Sequence, residues 1–164
     1  VVEINVHQDI PKYDHFGALK GLEYQKNLEK LAFTAGGRTQ TAPAQRLTDF
    51  VDGKLSNTLN DCSYQPGLKS APLHSLLPKI IGGRLRTGLK EFGKKMNGYY
   101  TEEANVIGVE SRTSSPVSIP RKENLEHTEI EGLYPCGEGG GYAGGIVSAA
   151  MDGERCAEAA IKEY

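Results

Sequence analysis

The chain has no tryptophan, two methionines and three cysteines, Cys62, Cys136 and Cys156, with no C-x-x-C pair among them. So odd and widely spaced a set excludes a disulfide framework and a zinc site, and makes a reducing cytoplasm the simplest setting. His7, His15, His74 and His127 form no i,i+4 or H-x-x-x-H pattern, so no metal site is expected. An excess of one charge is missing too. With 19 basic and 21 acidic residues the net charge is −2, which offers no bulk attraction to nucleic acid or to an anionic membrane. No run of about 18 apolar residues exists to span a membrane. The opening VVEINVHQD lacks the basic and apolar regions of a signal peptide, and it lacks an initiator Met. There is no internal repeat and no low-complexity tract.

Glycine, by contrast, is abundant, at 20 of 164 residues, beside a hydrophobic fraction of 38% and a charged fraction of 24%. These values suit a soluble globular domain, or a piece of a larger one. Few apolar groups and many glycines imply a chain that buries part of its surface against other material.

Period and punctuation give an α+β order of strand, helices, strands and helix. Val2, Ile4 and Val6 alternate with polar residues and predict a strand. Asp14 can cap a helix carrying Phe16, Leu19, Leu22, Leu28, Leu31 and Ala35, stopped by Gly36-Gly37. A second helix is predicted from Pro43 to Asp52, with Leu47, Phe50 and Val51 inward and Gly53 ending it. Residues 54–71 read as loop. Pro72 starts a helix that Gly82-Gly83 interrupts, and Leu85, Leu89, Phe92 and Met96 define an amphipathic helix ended by Gly98. From Asn105 the period changes: NVIGVESRT, PVSIPR and LYPC read as strands, with Cys136 a small core residue on the last. A final helix follows from about Tyr142 to Lys162. The expected divisions are 1–104, a strand with the helical part of a substrate domain; 105–131, returning strands; and 132–164, a closing strand, turn and helix.

That closing stretch, GLYPCGEGGGYAGGIVSAAMDG, crowds glycines between a strand and a helix. Gly139 to Gly144 match G-x-G-x-x-G literally, yet no second strand with a ribose-binding acid can follow in the residues that remain. The match is not the opening of a dinucleotide fold. Its physics still favours a ligand: glycine lets backbone approach closely, and a helix start presents N–H groups and a positive dipole end. Glu138 would repel a phosphate but accept hydrogen bonds from the hydroxyls of a polyol. The plain alternative is glycines that only let helix and strand pack closely.

The closing stretch resembles the carboxy-terminal flavin motif of the uncharacterised FAD-dependent dehydrogenases, within the glutathione-reductase-like flavoproteins. GLEYQKNLEKLAFTAGG, APAQRLTDFVDGKLS, LRTGLKEF and GVESRTSSPVSIPR resemble that family's segments in the same order. The resemblance covers nearly all of this chain but only the last part of a family member. It implies an FAD cofactor, with NAD(P)H as redox partner, a small-molecule substrate, and an amino-terminal FAD-binding part outside this chain. It places Gly137 and Glu138 along the ribityl chain and Gly139 among the cofactor-binding residues. Gly144, Gly145 and Ile146 would offer backbone N–H groups to the flavin edge, where reduction puts negative charge.

It also puts Arg112, Ser114 and Ser115 on the substrate-facing side, where a cation could anchor an anion; turn chemistry explains Ser-Ser-Pro equally well. Lys79, Arg84, Arg86, Lys90, Lys94 and Lys95 read as a solvated helix face, without the aromatic interleaving of single-strand binders. The expectation is the inactive carboxy-terminal fragment of an FAD-dependent oxidoreductase, able to dimerise through exposed strand edges. The rival is a free-standing helical interaction module without cofactor.

Overall fold

The computed structural model describes residues 2–112 and 114–163, and the fold is α+β. The chain divides into two units, one of Val1–Pro11 and Lys26–Ser111, the other of Lys12–Gln25 and Arg112–Tyr164.

At the centre of the first unit is a strand where a helix was expected. β1 (Ala42–Arg46) runs parallel to β2 (Leu68–Ser70) and antiparallel to β3 (Asn105–Ile107), with Ala42 opposite Leu68 and Ala44 opposite Ile107. Backbone partners on both sides decide this against local helix preference, which is a weak prior. The Ala71 N–H donates to Ala44 O at 3.1 Å and the Gly108 N–H to Pro43 O at 3.0 Å. The helical part of the expected 43–52 element survives as α2 (Leu47–Asp52), which does turn Leu47, Phe50 and Val51 inward. Gly53 closes it in the left-handed region at φ 73°, where a Cβ would be strained. The 54–71 stretch is mostly loop, but it also contains β2.

α3 (Leu73–Leu76) and α4 (Lys79–Lys95) follow, and the break between them is at Leu77-Pro78, not at Gly82-Gly83. Proline forces the preceding residue out of helical conformation, so Leu77 is extended at ψ 142°. Gly82 and Gly83 lie inside α4, where a glycine costs only about 1 kcal/mol. Leu47, Phe50, Val51, Leu73 and Leu77 form the core, and Leu85, Leu89 and Val106 pack against it. Phe92 and Met96, expected on the same inward face, are exposed.

Val2 to Val6 form no strand. Half-buried and exposed residues do alternate there, but the segment enters a turn in which Asn5 O accepts the N–H groups of Gln8 and Asp9. The helix expected from Asp14 starts later, as α1 (Lys20–Ala35), after a 3-10 stretch over Pro11–Leu19 that Gly17 kinks. Asp14 pairs with Lys20 at 3.1 Å instead of capping. Tyr24, Leu28 and Ala32 are the buried positions of α1, while Phe16, Leu19 and Leu31 are exposed.

From Asn105 onward the strand predictions need correction. Of NVIGVESRT only β3 pairs, and Thr113 lies outside the described residues. PVSIPR supplies a single bridge, Arg121 to His127, and LYPC has no ladder. Period-2 residues become strand only where another backbone takes their hydrogen bonds. Cys136, expected in the core, is exposed, and the buried thiol is Cys156. The last helix, α5 (Ile146–Glu163), begins after Tyr142 because Tyr142 is committed to the turn: its N–H donates to Gly137 O and its hydroxyl to Ile119 O. Among the described residues, no helix is long and apolar enough to cross a membrane.

Candidate functional site

The glycine turn is held by a cation that the sequence alone did not single out. Arg121 forms two bonds to the Asp152 carboxylate, at 2.8 Å to Oδ1 and 3.0 Å to Oδ2. A third goes to Pro135 O at 2.9 Å, and its guanidinium carbon lies 3.5 Å from the centre of the Tyr142 ring. The planar fork of arginine suits this arrangement, because carboxylate, carbonyl and ring face are engaged at once. Asp152 Oδ2 also accepts the Gly137 N–H at 2.9 Å. One carboxylate thus ties α5 to Arg121 and to the first residue of the turn.

The side chains of this pair are 12% and 10% exposed, so water screens them little. Hydrogen bonding to Arg121, then to the Gly137 amide, holds the Asp152 carboxyl below its usual range. The same bond pushes Arg121 up. A smaller clamp secures the preceding loop, where Glu126 accepts from Gly132 N–H at 2.9 Å and pairs with Lys122 at 3.1 Å. Those contacts lower its carboxyl as well.

The glycines separate into two groups. Gly137 and Gly141 sit at φ 66° and 83°, and a Cβ at Gly141 would lie 2.6 Å from Val117 O. A Cβ at Gly140 would meet the Cys136 backbone at 3.1 Å. The turn itself demands these three. Gly139 and Gly144 are different: neither has left-handed φ, and nothing lies within 4 Å of the Cβ each lacks. No contact among the described residues requires glycine there.

Of the residues that sequence assigned to the flavin, Gly137 is buried, whereas Glu138, Gly139, Gly144, Gly145 and Ile146 are exposed. The turn and the start of α5 bring them into one segment. The Gly145 N–H is used within the chain, donating to Ser148 Oγ at 3.2 Å. Ile146 and Val147, 92% and 71% exposed, leave the first turn of α5 apolar and uncovered. Ser115 donates to Val117 O at 2.7 Å and reaches Gly139 O at 3.5 Å, so it shapes the turn. Arg112 and Ser114 are exposed. Asp152 was missed, although a lone acid in the apolar run IVSAAMDG was the available signal.

A family described as FAD-dependent protein, C-terminal domain-like, matches residues 1–113. The chain belongs to this family of FAD-dependent protein C-terminal domains. The matched span includes the whole of the first unit and stops before the glycine turn. A protein of Clostridium beijerinckii (strain ATCC 51743 / NCIMB 8052), described as uncharacterized, is 42% identical over 148 residues, covering 89% of this chain. The chain spans 28% of the length of that relative.

Proposed function

We propose that this FAD-dependent protein domain closes the flavin site of an oxidoreductase whose remaining residues come from the rest of a longer protein. The observation that carries the proposal is the pair of glycines, Gly139 and Gly144, open where the chain needs no glycine, beside the exposed Glu138 and the uncovered start of α5. A cofactor lying there accounts for both the missing side chains and the exposed apolar turn.

In this reading Glu138 accepts hydrogen bonds from ribityl hydroxyls, while Gly137 and Gly139 keep the backbone low beside them. The amides of Gly144 and Ile146, with the positive end of α5, favour negative charge at the ring edge. The Gly145 amide acts indirectly, because its bond to Ser148 fixes the helix start. Bound FAD supplies hydride or electron transfer, and the chain contributes position and electrostatics. NAD(P)H is the proposed redox partner of a small-molecule substrate, in a cytoplasmic protein, with Arg112 a candidate anchor for an anionic group. Arg121 and Asp152 hold the turn in shape and need not touch the cofactor.

The test is the visible spectrum of the full-length protein after purification and after addition of FAD. Bound flavin absorbance supports the reading. A colourless protein that stays flavin-free after FAD is added overturns it and favours an interaction module.

A further inference from the structure

Two cysteines meet just before the turn, and neither has a part in the function proposed above. Cys136 is exposed and immediately precedes Gly137; Cys156 is buried, on α5, nine residues beyond Val147. The Cys156 thiol points to the backbone next to Cys136, with Sγ 3.8 Å from Pro135 O, and lies 3.3 Å from the Arg121 guanidinium. The Cys156 sulfur thus lies against the backbone that carries Cys136, and Cys136 contributes to raising the Cys156 thiol. The exposed one can meet a solute oxidant, and the buried one sits behind it beside a fixed cation.

We infer that Cys136 and Cys156 form a peroxide-responsive thiol pair, with Cys136 the reacting thiol and Cys156 the resolving thiol, which on oxidation staples the segment before the glycine turn to α5. The Cys136 sulfur, as thiolate, attacks one oxygen of hydrogen peroxide, the O–O bond breaks, and water leaves with a sulfenic acid on Cys136. Cys156, its thiolate stabilised by Arg121, attacks that sulfur. The S–O bond breaks, a second water leaves, and the disulfide forms. Two thiols lose two electrons and two protons, and one peroxide becomes two waters. Burial, with smaller contributions from Asp152 and Cys136, raises the Cys156 thiol against the lowering by Arg121, which suits a resolving group that reacts only with a sulfur brought next to it. Cys62, exposed in the other unit, is an internal control.

The pair can be read directly, because trypsin separates the two cysteines: Cys136 falls in the peptide 123–155 and Cys156 in 156–162. The full-length protein is treated with hydrogen peroxide, its remaining thiols are alkylated, and its peptides are mapped without reduction. The expected result is a species joining the two peptides with the loss of two hydrogens, abolished by a thiol reductant and absent from untreated protein. In Cys156→Ser the resolving thiol is gone, so trapping of sulfenic acid on Cys136 by dimedone should rise several-fold. Peptide 156–162 remaining fully alkylatable while Cys136 is unmodified or over-oxidised would overturn the inference. The mapping needs no variant, so a Cys156→Ser protein that fails to fold does not blunt it. An unchanged dimedone yield in a folded Cys156→Ser also counts against it.

Discussion

The first unit buries Phe50 and Leu73 completely and closes an apolar core over β1; in the second, a carboxylate, Asp152, is among the most buried groups, while Ile146 stands 92% exposed. The first unit builds its core from apolar side chains of its own sequence, although Phe92 and Met96 stay exposed. The other keeps its turn through an arginine, an aspartate and backbone amides, and leaves apolar groups uncovered. Polar contacts of this sort fix geometry more than they lower free energy, since the desolvation of a buried pair offsets much of its attraction. A unit held in that way is suited to presenting a fixed surface to something else.

The comparison breaks most visibly in the first unit. Phe50→Ala empties a fully buried position and should cost about 3–5 kcal/mol. Hydrogen exchange on the full-length protein should show the loss of protection concentrated in residues 42–52.

Next comes Asp152→Ala, which leaves Arg121 without its carboxylate and the Gly137 amide without an acceptor. It should cost about 3 kcal/mol, and raise exchange across residues 135–146 with little change in 42–52. The same carboxylate sets an acid limit. Its folded value is depressed, so its contribution is fully present above the usual aspartate value and is lost as pH falls through the lowered one. Asp152→Asn should therefore lessen the acid sensitivity of the turn, and a pH series of exchange rates that matches the native protein would count against the lock. Smaller still is Gly141→Ala, which meets Val117 O and a left-handed φ, at a cost of about 1–3 kcal/mol.

The same contrast explains what was legible in the sequence. α2 could be read because Leu47, Phe50, Val51 and Gly53 are local signals, and the core they enter comes from this chain. β1 could not, because what makes Ala42–Arg46 a strand is pairing with residues far away in sequence. Leu77-Pro78 outranked Gly82-Gly83 as a break because proline restricts its neighbour, whereas glycine in a helix only weakens it. At the site, the glycine run was visible but its division into required and unrequired glycines was not, since that depends on what each missing Cβ would touch. Arg121 and Asp152 lie far apart in sequence, and their pairing has no local pattern.

The glycines that the turn does not need provide the most direct measurement. Gly144→Val places a side chain where the chain leaves open space, so the full-length protein should keep its fold by circular dichroism while its flavin-to-protein absorbance ratio falls at least several-fold. An unchanged ratio in a folded Gly144→Val protein would contradict the placement of a flavin against this turn.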